Sequence, residues 1–157
     1  MRALQSDVEK LLAYVNWSRP VMAEDVRRMV PSAAQADIFR LVDSLGERNA
    51  HGAMAQLHYL LRSGDRDAIG VFGMVVRQYR LLLQAKEILE QGGDAGEVKA
   101  RLRLPLFVAK KISVQSRRYG LGALERIYRR LLAMDIAMKS GSDSQVVMDV
   151  MVAGLTV

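Results

Sequence analysis

"DAIGVFGMVVRQYRLLLQAKEILEQ", residues 67–91, is apolar around nearly the whole circumference of a helix. Five of its polar residues, Arg77, Arg80, Gln84, Glu87 and Gln91, recur three and four apart and form one narrow stripe at about 100° per residue. A helix wetted along so thin a line lies in the middle of a bundle, with other helices covering the rest of it.

The segments on either side supply the cover. Upstream, "ADIFRLVDSL" puts Ile38, Leu41, Val42 and Leu45 on one stripe, and "GERN" makes a turn. "AHGAMAQLHYLLRSG" follows, with Asn49 as its N-cap and Gly64 as its stop. Downstream, "GGDAGEVKARLRLP" predicts a short helix, and "LPLFVAKKISVQSRRYG" (residues 104–120) an amphipathic one with Val108, Ile112 and Tyr119 on its apolar side. "LGALERIYRRLLAMDIAMKSG" is the next helix. A capping box from Ser142 to Gln145 then starts "VVMDVMVAGLTV", which carries one charge and must be buried or paired. The nine methionines fall at core spacing, as plastic packing residues do. No strand-period run of useful length occurs. The expectation is an all-α bundle of about five to seven helices spanning residues 32–157.

Residues 1–31 differ. "SDVE" is a capping box from Ser6 to Glu9, and "MAEDVRRMV" is a short helix with its acids in the first turn. Two short helices closed by Pro31 cannot bury a core alone, so this piece reads as the end of something larger, and Met1 need not be a native start.

Composition narrows the function. The chain has 157 residues, of which 50% are apolar and 25% charged, enough for one domain with a real core. It has no cysteine, so disulfides and thiolate metal sites are out of the question and a reducing, intracellular setting is expected. His51 and His58 have no acidic partner at ligand spacing and are better read as ordinary helix positions. No apolar run reaches the length of a membrane span. Phosphate loops, dinucleotide glycine fingerprints, nucleophile elbows and paired catalytic carboxylates are all missing. The expected protein is not an enzyme and holds no cofactor or metal.

Two features stand out. Asp135 falls in the centre of the stripe of Leu124, Ile127, Tyr128, Leu131 and Met138. A carboxylate there needs a partner, and Arg77 or Arg80 of the central helix is the expected one, in a structural ion pair. The second feature is charge. The formal net charge is +6, and ten Lys/Arg against one acid, Glu125, lie between Lys99 and Arg130. Within that region Phe107 and Val114 project from a cationic face of Lys110, Lys111, Arg117 and Arg118, where a merely solvated face does not need them. These six residues are the candidate interface. The interleaved aromatics of a single-strand binder and the polar reading residues of a helix-turn-helix are both lacking.

The order of segments resembles a known family. Ile38 to Asp43, Arg77 to Leu82, Pro105 to Lys111 and Lys139 to Gly141 are similar, in order and at similar distances, to runs in the C-terminal part of the delta subunit of bacterial DNA polymerase III, a clamp-loader subunit. Two departures are visible: Met22 stands where the family has a capping Thr, and "LPLFV" carries one inserted-looking residue before its Phe. The resemblance implies that residues 32–157 are a collar domain, which packs with the collars of gamma/tau and delta-prime subunits in a cytoplasmic replication complex. It implies that residues 1–31 end the AAA+ lid domain. The sliding clamp would be reached only through an N-terminal domain outside this sequence, and DNA would be bound weakly and non-specifically at most. The basic 99–130 region leaves open a helical DNA-binding module. The segment order leaves open the collar of a paralogous subunit, gamma/tau or delta-prime.

Overall fold

The structure, a computed structural model, describes residues 33–63 and 66–156. The readings made on residues 1–31, including the Ser6–Glu9 capping box, and the stop at Gly64 lie outside the described residues. Seven helices and no strand occur among those described: α1 (Ala33–Gly46), α2 (Ala50–Arg62), α3 (Ala68–Glu90), α4 (Ala95–Leu102), α5 (Leu106–Ser116), α6 (Leu121–Lys139) and α7 (Ser144–Leu155). The all-helical bundle is as expected.

Helix α3 occupies the centre and touches each of the other helices. Val71, Phe72, Val75, Tyr79, Leu82 and Ala85 are buried along it, while Arg77, Arg80, Gln84 and Glu87 remain exposed. That is the division its sequence pattern demands. Asp67 caps it, the side chain accepting from Gly70 N at 2.8 Å. At its other end Gly92 takes φ 89°, and the amides of Gly92 and Gly93 donate to the carbonyls of Leu89 and Ile88. This is a Schellman motif, and glycine is the residue that adopts its left-handed turn without steric cost.

Gly141 ends α6 in the same way, at φ 103°. At the end of α1 the equivalent position belongs to Arg48, φ 57°, with Arg48 N donating to Leu45 O and Asn49 N to Ser44 O. Arg103, φ 54°, does the same after α4.

Around α3, α1 packs on α2 through Ile38, Leu41, Val42 and Leu45, the predicted stripe. Asn49 caps α2 as expected, accepting from Gly52 N at 2.9 Å. Helix α5 lies on α3 and α4, with Val108 and Ile112 inward. Met138, Met148 and Met151 are buried, and Met54, Met74 and Met134 pack against the core, in keeping with their reading as filler.

Three expectations need correction. The last helix is capped by Asp143, not Ser142: the Asp143 carboxylate accepts from Val146 N at 3.1 Å. Aspartate is at least as good an acceptor as serine there and adds a charge that suits the helix dipole. Tyr119 lies beyond the end of α5 at Ser116, in the following turn. Asp135, finally, pairs with Lys139 one turn along its own helix, at 2.7 Å, and not with Arg77 or Arg80. Its side chain keeps 22% of its exposure, so it lies at the rim of the α6–α3 contact. A carboxylate at a rim reaches water and its i+4 lysine, and Arg77 and Arg80, exposed on α3, keep their own solvation.

Candidate interface on helix α5

The six candidate residues are brought to one side of the molecule by α5 and the turn after it, but they do not form one uniform face. Lys110, Lys111 and Arg117 are exposed, and Val114 is 57% exposed. Phe107 departs from the expectation: it is half-buried and packs against the core. The exposed apolar partner of Val114 is Leu106, 43% exposed, eight residues earlier with Lys110 midway. Spacing of four and four puts Leu106, Lys110 and Val114 along one helix edge.

Arg118 is also tied down. Its guanidinium bridges Glu47 at 3.0 Å and Asp43 at 3.4 Å, both on or just after α1. Between α1 and α5 this leaves a groove of about 450 Å³, lined by Phe39, Arg40 and Asp43 on one wall and Lys110, Lys111 and Val114 on the other. Lys111 Nζ stands 5.9 Å from the centre of the Phe39 ring, a cation–π contact that holds the ammonium over the groove.

Beneath the groove lies a buried polar network. Gln78 of α3 donates from Nε2 to Gln115 Oε1 at 2.8 Å. Gln115 Nε2 in turn donates to the Phe39 carbonyl at 3.1 Å and to Asp43 Oδ1 at 2.8 Å. Both amide hydrogens and the oxygen of Gln115 are thereby engaged, so α1, α3 and α5 are pinned through one side chain. Ser113 and Ser116 are buried as well and donate back to the carbonyls of Ala109 and Ser113.

The sequence carried a signal for this network. Gln78 sits between Val75 and Leu82, and Gln115 follows Val108 and Ile112, each at the spacing of a core position.

A second polar chain runs parallel to the first. Tyr119 Oη donates to the Val42 carbonyl at 3.2 Å, so the Tyr79 hydroxyl, 3.1 Å away, must be the donor between the two phenols. The rings meet edge to face at 78° with centroids 5.9 Å apart. Gly46 permits the approach: a Cβ there would stand 2.7 Å from the Tyr119 hydroxyl.

Burial pushes the Tyr79 phenol well above its ordinary range, and the neighbouring Tyr119 raises it further by repulsion and by accepting its hydrogen bond. Tyr119 is raised too, chiefly by burial. The hydrogen bond from Tyr79 and the charge of Arg118 act against the shift, and Asp43 adds to it.

What this arrangement can do is bind a surface. Among the described residues no three His, Cys, Asp or Glu side chains converge as metal ligands, and His51 and His58 are both exposed. No described helix is long and apolar enough to cross a membrane. Cations surround a small apolar centre on a rigidly pinned helix, which is the anatomy of a protein contact.

Over 150 residues, 95% of its length, the chain is 25% identical to DNA polymerase III subunit delta of Bacillus subtilis. Its fold superposes on the solved DNA clamp loader delta protein of that organism with a TM-score of 0.75, at 24% identity over 96% of the chain. The chain spans 43% and 44% of the length of these two proteins. Residues 35–155 match the family model for the DNA polymerase III delta subunit, C-terminal domain, and with all seven described helices falling inside or across that span, the chain belongs to that family.

Proposed function

We propose that this chain is the part of a delta subunit that holds it in the clamp loader, a non-catalytic assembly domain that packs as a collar against gamma/tau and delta-prime subunits. Residues 32–157 form that collar in this reading, and residues 1–31 end the lid of the preceding AAA+ module. The observation that carries it is the family match across the helical bundle, joined to apolar side chains left uncovered at helical spacing.

A subunit inside a ring of unlike neighbours presents two different surfaces, one to each side. The edge of Leu106 and Val114 on α5 supplies one. Leu132 and Ile136 on α6, with Val146 and Val150 on α7, supply the other; Ile136 is 66% exposed and all four recur at intervals of four along their helices. Helix α7, expected to be buried or paired, buries only Met148, Met151 and Val152 within the chain.

Co-purification with the other loader subunits tests the proposal. Leu106→Glu with Val114→Glu is expected to abolish co-elution while the melting temperature stays within a few degrees, because both side chains are exposed. Lys110→Ala with Arg117→Ala should weaken it by a few-fold only, since rim charges contribute less than desolvated apolar centres. Phe107 is unsuitable for this purpose, because truncating it would open the core. A DNA-binding role for the same face predicts the opposite pattern. Duplex binding tighter than about 10⁻⁶ M at physiological salt, lost on Lys110→Glu with Arg117→Glu, would replace the assembly reading of this face.

A further inference from the structure

We infer that a second groove, where the ends of α1 and α7 meet the first half of α6, is a docking site for an acidic segment of a partner polypeptide. It uses none of the exposed aliphatic residues assigned to assembly and does not depend on the clamp-loader reading.

The groove encloses about 510 Å³, and Arg48, Arg126 and Arg130 line it over a floor that includes Leu45, Ile127 and Leu155. Among the described residues none of these three guanidinium groups has a carboxylate within salt-bridge distance or donates a hydrogen bond. The acids at that end of α1, Asp43 and Glu47, are engaged by Arg118. Three uncompensated cations in one concavity repel one another. The negative ends of the α1 and α7 dipoles offset part of that cost, but no terminal carbonyl accepts from these guanidinium groups.

Two local features hold the arginines there. Arg48 takes the left-handed position that glycine fills at the ends of α3 and α6, a conformation unfavourable for a side chain with a Cβ. Its side chain leaves the helix end toward the groove. Arg130 lies directly over Gly154: a Cβ added to that glycine would stand 2.8 Å from Arg130 Nη2. The missing methyl is the space the guanidinium occupies.

Planar guanidinium forks recognise carboxylates in pairs of parallel hydrogen bonds. The apolar floor suits an aliphatic side chain between two acids. Nucleic acid fits less well. The one aromatic ring in the lining, Tyr119, is half-buried with its hydroxyl committed to Val42, so no platform for base stacking exists.

The test uses the whole 157-residue chain and a fluorescently labelled peptide of alternating glutamate and leucine, read by anisotropy. A peptide with glutamine in place of glutamate and an oligothymidylate serve as comparisons at the same salt. Saturable binding of the acidic peptide is expected, with at least tenfold discrimination against the glutamine peptide.

Arg126→Glu with Arg130→Glu should remove binding. Arg48→Gly and Gly154→Ala should each weaken it by about tenfold. Neither should lower the melting temperature, because glycine relieves the left-handed turn and alanine favours the helix. Loss of binding in these two thus cannot be put down to unfolding. No binding of the acidic peptide, equal binding of the glutamine peptide, tighter binding of the oligothymidylate, or unchanged binding in the three variants would each overturn the proposal.

Discussion

Two aspartates exchange roles once their surroundings are known. Asp143 ends a surface loop and looks dispensable, yet its carboxylate holds the first turn of α7 by accepting from Val146 N. Asp143→Ala should cost about 1 kcal/mol in chemical denaturation, the usual loss for an N-cap acceptor. Asp135 lies in an apolar stripe and looks critical, yet its bond is to Lys139 on the surface of the same helix. Asp135→Ala should cost no more than about 0.5 kcal/mol, the scale of an i,i+4 ion pair. A loss of several kcal/mol at Asp135 would mean a buried partner after all. Gln115 is the residue whose removal hurts most among polar positions. Its truncation to alanine strands the Gln78 amide and the Phe39 carbonyl, and should cost about 3 kcal/mol at equilibrium. Both effects follow from what a side chain does for its neighbours' unsatisfied groups, which a wheel diagram of one helix does not display.

At the scale of elements, α1, α3 and the turn after α5 are joined through Tyr79, Tyr119 and the Val42 carbonyl, and that joint is sensitive to alkali. Both phenols titrate above their ordinary value of 10.0 in the fold. A raised acid binds its proton more tightly when folded than when unfolded, so its contribution to stability is complete below about pH 10. It is lost as the pH climbs from there toward the folded values. Denaturation followed from about pH 8 to about pH 11 should show stability falling at the alkaline end. The Tyr79→Phe variant should fall less steeply, by up to about 1.4 kcal/mol per pH unit. Parallel curves for the two proteins would show that Tyr79 ionises as freely in the fold as outside it. The same joint explains why α5 is short. Its hydrophobic side runs out at Ser116, and Tyr119 reaches back to α1 only because Gly46 leaves room for its hydroxyl.

The whole molecule is a bundle built around one helix, with its outer surface divided by chemistry. Cations cover the α5 side and the α1–α6–α7 groove, while uncovered aliphatic side chains mark α5 again and the α6–α7 side. Exposed aliphatics at regular helical spacing on two sides are costly in a solitary molecule and useful in one held between neighbours. The assembly test on Leu106 and Val114 and the peptide test on the arginine groove therefore address separate parts of the surface. Each can fail without the other.

The amino-acid sequence by itself determined the helices and the central place of α3, because apolar periodicity and capping side chains act within a few residues of one another. It also marked the cap at Asn49. Four short runs in order were enough to point to the family. What only the tertiary structure decided is which polar group meets which. Arg118 is taken up by Asp43 and Glu47 across some seventy residues of chain. Gln115 is saturated by groups on two other helices, and Phe107 turns inward where Leu106 does not. Each of those outcomes depends on the rotation of one helix against another, which is set by the summed packing of the core and is encoded in no single segment.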